Sequence, residues 1–340
     1  MMSTAEKSGV QSGGAATGAT AEPRRRLRPQ GLWYTVGPFG VFVVLLVIVA
    51  ILQPSFLGGG GLKIAAVQAT PILLVALGQA AVLLVGSIDL SNAAMALLSA
   101  VILAKALGPL ASAAPLVCVV VITLIGLLNG LLVVYAQVPS FALTLGTLGI
   151  LQAAALVLTG ATTVYATANQ GVVTWLFQTF LVGIPAAFWV AVVLAVVFWA
   201  LLRTTTIGQG LTAVGLNETG AMFSGLRTRA VKITAFALSG FFASIAGITV
   251  IAQAGAASSF GLGSDLLLPG IAAAIVGGTA ITGGVANPIN VVFGALIVAL
   301  IPIGSAAIGI PATAQSLVYG LVIIVAVALT MNRSGIGVVK

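Results

Sequence analysis

Between Arg28 and Arg333 the chain carries charge only at Lys63, Asp89, Lys105, Arg203, Glu218, Arg227, Arg229, Lys232 and Asp265, and the stretches between these positions are long, apolar and broken by Gly, Pro and Asn. Soluble domains have roughly a quarter of their residues charged. Here the figure is 5% of 340, with 60% hydrophobic residues, so lipid is the solvent for most of this sequence.

The apolar runs fall at about 36–52, 64–85, 91–107, 113–135, 139–159, 183–202, 231–253, 267–282, 289–307 and 313–330. Each is near the roughly 17–25 residues that a helix needs to cross hydrocarbon. The pattern predicts an all-α, polytopic transmembrane helix bundle of about ten spans. Basic residues set its orientation: Arg24, Arg25, Arg26 and Arg28 precede the first run and hold the N-terminus in the cytoplasm. An even number of spans then returns Arg333 and Lys340 to the same side, together with Arg203, Arg227, Arg229 and Lys232. The uncharged stretch 160–183 falls outside, and Lys63 and Lys105 run against the bias.

Residues 1–32 form a Ser-, Thr-, Ala- and Gly-rich basic tail expected to stay disordered. Residues 33–332 make the membrane domain, with a cytoplasmic segment at 203–232, and 333–340 a second cytoplasmic tail. A cleaved leader is a rival for the first run, but that run closes on Ile51, Leu52, Gln53 and Pro54 with no small-x-small site, which favours a retained span.

Five carboxylates, no histidine and one cysteine leave little from which to build acid–base, metal or redox chemistry, and Glu6 and Glu22 lie in the tail. Cys118, inside an apolar run, reads as a small core residue. The net charge of +8 sits at membrane boundaries without interleaved aromatics, so topology explains it and nucleic acid is not an expected partner.

Gly126 with Gly130, and Gly240 with Gly247 beside Ala243 and Ser244, stand at spacings that let helix backbones approach closely. Two stretches interrupt the helical pattern, 86–91 (GSIDLS) and 277–284 (GGTAITGG). Irregular backbone at membrane depth is tolerated where protein or a water-filled cavity satisfies it, so paired interruptions point to a path for solute. Gly86, Leu90 and Ser91 superpose weakly on Gly277, Ile281 and Thr282, which suggests a parallel internal repeat. Asp89 within the first break has two compatible roles. It can cap the following helix through the N–H groups of Ser91 and Asn92, or it can line the path. Without histidine or a second buried acid, proton coupling is the weaker option.

The segment 215–226 (GLNETGAMFSGL) reads as a short helix capped by Asn217, with Glu218 against its dipole and Gly225 at its end. Leu216, Met222 and Phe223 would form an apolar face suited to docking on another protein, or to lying on lipid headgroups.

Five strings in order, GSIDLS at 86–91, VPSFALTLGT at 138–147, GLNETGAMFSGL at 215–226, KITAFALSGFFASIAG at 232–247 and GGTAITGG at 277–284, resemble the motifs of the membrane-spanning permease of ribose-type ABC importers. The resemblance covers about Gly37 to Thr330. It implies a ten-span subunit of a bacterial cytoplasmic membrane, paired with a like or identical permease and two cytoplasmic ATP-binding subunits, receiving a sugar from an extracytoplasmic solute-binding protein. It also implies that Gly215, Asn217, Glu218, Ser224 and Gly225 belong to the helix that docks on the ATPase. Asp89, Ser91, Thr144, Thr147, Gly277, Gly278 and Thr279 would lie in or beside the translocation path. Asn129 and Phe141 join them as side chains suited to binding hydroxyl groups. Asn92, Ala93 and Ala94 after the first motif, and Val285, Ala286, Asn287 and Pro288 after the last, depart from the family pattern and bear on which solute is carried.

No Gly-x-x-x-x-Gly-Lys-Ser/Thr phosphate loop occurs. The chain is therefore expected to bind no cofactor itself and to draw on ATP held by partner subunits. An autonomous channel or ion-coupled carrier, a membrane scaffold, and an ABC permease for nucleosides or branched amino acids remain as alternatives.

Overall fold

The computed structural model describes residues 30–58, 60–258 and 264–330, with the backbone alone at 30–35 and 326–330. Of the tail expected at 1–32, residues 1–29 lie outside the described residues and 30–32 open α1 instead of being disordered; the tail at 333–340, with Arg333 and Lys340, lies outside them entirely. The helices are α1 (Gln30–Leu52), α2 (Gly61–Leu84), α3 (Asn92–Leu110), α4 (Ala114–Tyr135), α5 (Ser140–Thr159), α6 (Gly171–Gln178), α7 (Ala186–Thr204), α8 (Thr206–Leu216), α9 (Glu218–Phe223), α10 (Thr228–Ala254), α11 (Leu267–Val276), α12 (Pro288–Ala307) and α13 (Gln315–Thr330). Four two-residue strands, β1 (Val164–Tyr165), β2 (Phe180–Leu181), β3 (Ile184–Pro185) and β4 (Ala256–Ala257), form the antiparallel pairs β1–β4 and β2–β3.

Among the described residues six helical stretches are long and apolar enough to cross a membrane, and Val36–Leu52, Leu267–Val276 and Ala312–Val325 add shorter apolar helices. This is a multi-pass membrane protein. The longest stretch, Asn92–Tyr135, holds two helices: a 3-10 turn at Ala111–Ala113 folds α4 back onto α3, with Ala111 at a positive φ of 43°.

Helices α2 and α10 form the centre of the bundle, with 89% and 78% of their apolar windows buried, whereas α5 lies at its rim with 17%. Glycine explains how α10 reaches the centre. Gly126 of α4 lies directly on the backbone carbonyl of Phe236, and a Cβ on Gly240 would sit 2.6 Å from the carbonyl oxygen of Ile122. Further along α10, Gly247 meets the backbone of Ala96 in α3, and Ala243 and Ser244 are fully buried between these contacts. The glycine spacings read from sequence thus correspond to two helix crossings that admit no side chain.

Two expectations need correction. The apolar run 267–282 is not one helix: α11 ends at Val276, where Gly277 packs against the backbone of Val291 and Gly278 turns the chain at φ +86°. At 1.5 Å per residue α11 is about 15 Å long, half the hydrocarbon thickness. The stretch 160–183, which its lack of a long apolar run made a loop, contains β1, α6 and β2. Its end is fastened by the β2–β3 hairpin, whose Phe180 ring lies 4.1 Å from Lys63 Nζ, and by Trp189 Nε1, which donates to Leu181 O at 3.1 Å.

Candidate functional site

The break between α2 and α3 is built around Asp89, which has no exposed surface. One carboxylate oxygen, Oδ1, accepts from Ser91 N at 2.9 Å and from Ser91 Oγ at 2.6 Å, and Oδ2 accepts from Ser239 Oγ at 2.7 Å. The helix-cap reading holds in a modified form. Ser91 occupies the N-cap position without capping through its own side chain, and Asp89, two residues upstream, supplies the acceptor.

The partners of Asp89 are themselves tied down. Asn129 Nδ2 on α4 donates to Ser91 Oγ at 2.9 Å, and Thr147 Oγ1 on α5 donates to Asn129 Oδ1 at 2.9 Å. On the other side Asn92 Nδ2 donates to Ser239 Oγ at 2.6 Å and to Ser239 O at 3.1 Å. Two chains of donors, Thr147 to Asn129 to Ser91 and Asn92 to Ser239, therefore converge on one carboxylate that only accepts. The irregular backbone is satisfied in the same way. Leu90 N donates to Thr144 Oγ1 at 3.0 Å, Ile88 N donates to Ser140 Oγ at 3.1 Å, and the Gln79 amide donates to Asp89 O. Such bonds are what allow a helix break in a membrane bundle, although Gln79 Oε1 and Asn92 Oδ1 beside them are buried without a partner.

The structure brings together Asp89, Ser91, Asn129, Thr144 and Thr147, and buries all of them except Thr147, which is half-buried. Their hydrogen-bonding groups are spent on one another, so within this chain they position α3, α4, α5 and α10 around the break. Phe141 is separate, 53% exposed on the outer face of α5. Gly277, Gly278 and Thr279 lie apart as well, at the end of α11. Thr279 N closes the turn on Ala274 O at 3.0 Å, and its hydroxyl is buried without a hydrogen-bond partner. A cavity of about 560 Å³ between α1, α11, α12 and α13 touches Gly278 but is otherwise lined by apolar side chains and Ser305. Among the described residues no three His, Cys, Asp or Glu side chains come together as a metal site.

Gln79, Asn92, Ser140 and Ser239 were not among the residues expected here. Each is a polar side chain within or beside an apolar run, and that was the available signal. Asn92 was expected as a backbone donor to Asp89 and as a departure from the family pattern, not for its side chain. The structure accounts for it, because Gly78 leaves the space its amide fills, and a Cβ there would lie 2.5 Å from Asn92 Nδ2.

The second element is α8–α9. Asn217 caps α9 by accepting from Gly220 N at 2.9 Å, Ser224 Oγ donates to Ala221 O at 2.7 Å, and Gly225 leaves the helix at φ +85°. Glu218 does more than oppose the helix dipole: it pairs with Lys232 Nζ at 2.6 Å, which ties α9 to α10. Leu216, Met222 and Phe223 are exposed, Phe223 by 83%.

A buried polar network bracing a helix break, in a multi-pass bundle with a short apolar-faced helix between two spans, is the architecture of a transport protein's membrane subunit. A family model described as the permease component of the branched-chain amino acid transport system matches residues 61–327, and the chain belongs to this permease family. The ribose import permease of Bacillus subtilis (strain 168) is 29% identical over 316 residues, 92% of this chain and 97% of the relative. The D-allose transport system permease of Escherichia coli (strain K12) is 33% identical over 301 residues, covering 86% and 90%. The autoinducer 2 import system permease of Escherichia coli (strain K12 / DH10B) is 31% identical over 285 residues, covering 83% and 82%. No solved structure matches.

Proposed function

We propose that the chain is the permease subunit of an ATP-driven importer and forms the translocation path for a monosaccharide or a related small polar solute. The observation that carries this reading is α9. Six residues, pinned at their N-terminal end by Asn217 and the Glu218–Lys232 pair and closed at the other by Ser224, expose Met222 and Phe223, an apolar projection that suits a groove on an ATP-binding subunit. The ribose, allose and autoinducer 2 relatives support a sugar-like cargo, although the family description names branched-chain amino acids.

In this reading α1, α2, α3, α4, α5, α7, α10, α11, α12 and α13 are ten crossings, α11 being completed by the irregular backbone after it. Both termini and α8–α9 face the cytoplasm, as the basic residues around α8 and α9 favour. The path runs along the exposed face of α5 against a second permease chain. That face carries Phe141, Gly149 and, in mid-helix, the amide of Gln152, a group that lipid would not accommodate without cost. Asp89, Ser91, Asn129, Thr144 and Thr147 stand directly behind it, holding α5 and the break in register. ATP acts on the partner subunits, and a solute-binding protein delivers cargo to the outer face.

The test is co-purification with the ATP-binding and solute-binding partners, followed by thermal-shift screening of the binding protein against pentoses, hexoses, nucleosides and branched amino acids. Selective stabilisation by a pentose or hexose is expected. Stabilisation by an amino acid or nucleoside alone would overturn the sugar assignment.

A further inference from the structure

Three segments distant in sequence meet at one end of the bundle through bare backbone. The C-terminal carbonyl of α2, Leu84 O, accepts from Gly284 N at 2.9 Å, so the second helix break caps the helix that leads into the first. Gly215, in the last turn of α8, lies between them, and a side chain there would fall on both Leu84 O and Gly284 N. A Cβ on Gly283 would stand 2.9 Å from Gly215 O and 2.9 Å from Gly86 N, and one on Gly284 would stand 2.5 Å from Leu216 Cδ2. Gly86, Gly283 and Gly284 all have positive φ, at 70°, 89° and 79°, so the approach depends on conformations that other residues rarely adopt.

The contact is stiff on every side. Ala280 N to Val285 O, at 2.9 Å, and Gly283 N to Ala280 O, at 3.1 Å, close the second break on itself. Gly86 N to Leu83 O, at 2.8 Å, fixes the start of the first, and two residues further on Ile88 enters the polar network through Ser140. From Gly215 it is one residue to exposed Leu216 and two to the cap of α9. A displacement of α9 has no soft loop to absorb it before it reaches both breaks.

We infer that Gly215, Leu216 and Gly284 are positioning residues that transmit movement of α9 to both helix breaks at once. The inference rests on the reading of α9 as the ATPase docking helix. Closely packed contacts of this kind shift as units rather than deforming smoothly, which suits a relay between two states.

Hydrogen–deuterium exchange at 84–91 and 279–285, measured on the full complex in lipid discs with and without ATP, reads the relay directly. The wild-type complex should change exchange in both segments when ATP binds. Gly283→Ala and Gly284→Ala, which wedge the contact from the second break and leave the docking face untouched, should keep the ATP-binding subunits bound at wild-type stoichiometry. In both variants the ATP-dependent change should fall about tenfold or more in both segments. A wild-type response in docked Gly284→Ala complex overturns the inference, even where Gly283→Ala fails to fold. So does a wild-type complex in which only one break responds, or neither. Failure of the wild-type chain to bind ATP-binding subunits is a different result, and overturns the docking reading itself.

Discussion

Ser239 Oγ donates to Asp89 Oδ2 at 2.7 Å, joining the break between α2 and α3 to the middle of α10 across 150 residues of chain. Ser239 is eleven residues into α10 from Thr228, about 16 Å at 1.5 Å per residue. Both residues are fully buried in the bundle, where an unmet donor or acceptor costs about 1–3 kcal/mol. Asp89→Ala leaves Ser91 and Ser239 without their acceptor, and Ser239→Ala leaves Asp89 Oδ2 without its donor and Asn92 with the Ser239 carbonyl alone. A double-mutant cycle on unfolding in detergent should give a coupling of about 0.5–3 kcal/mol. Strict additivity would separate the two residues energetically and contradict the network.

Gly126 and Gly146 predict opposite responses to one added methyl. At Gly126 a Cβ strikes the Phe236 carbonyl, and Gly126→Ala should cost about 1–3 kcal/mol through the displaced α4–α10 crossing. At Gly146, on the rim helix α5, nothing lies within 4 Å of a Cβ. There Gly146→Ala should gain about 0.5–1 kcal/mol from helix propensity. Paired thermal midpoints check both, and equal shifts would refute the packing account.

Val182 and Gly183 turn the β2–β3 hairpin with φ of +54° and +76°, a pairing that favours Asn-Gly. A β-branched residue is strained there, and Val182 is 94% exposed, so it has little packing to lose. Val182→Asn should raise stability by about 1 kcal/mol, read as an upward shift of the unfolding midpoint. A loss of similar size would mean that the valine side chain has a partner in the assembled protein.

The Glu218–Lys232 pair is short but solvated, with side chains 49% and 20% exposed. Lys232→Met should therefore cost no more than about 1 kcal/mol, and the loss should shrink as salt rises. Unfolding at low and high ionic strength measures it. A larger loss that persists in high salt would show that the pair is shielded from water.

The fold was legible wherever apolar runs met clear punctuation: α2, α4, α5, α7, α10 and α12 follow from length, hydropathy and flanking Gly, Pro or Asn. The end of α11 was less so, because Gly277, Gly278 and Thr279 interrupt an apolar run without any charge, and hydropathy alone does not register a change of φ. Both breaks could be found from glycine density, yet their contact with each other and with Gly215 depends on tertiary packing between residues 84, 215 and 284, which no local pattern encodes. Asp89 stood out because charge is scarce. Ser239 did not, since one serine in a helix full of small residues looks like the packing residues beside it. Asp89, Ser91, Asn129, Thr144 and Thr147, expected in or beside the path, are hydrogen-bonded to one another and to the backbone of the break, because hydroxyls and amides beside irregular backbone are first needed to satisfy it.

ATP-dependent uptake in proteoliposomes tests the central claim most directly, with the chain reconstituted alone or together with its ATP-binding subunits and a ribose-loaded binding protein. The account predicts uptake of labelled ribose, or of whichever pentose or hexose stabilises the binding protein, only in the full assembly, and only with hydrolysable ATP. Equal uptake by the chain alone, without ATP, would contradict it and point to an autonomous channel or carrier.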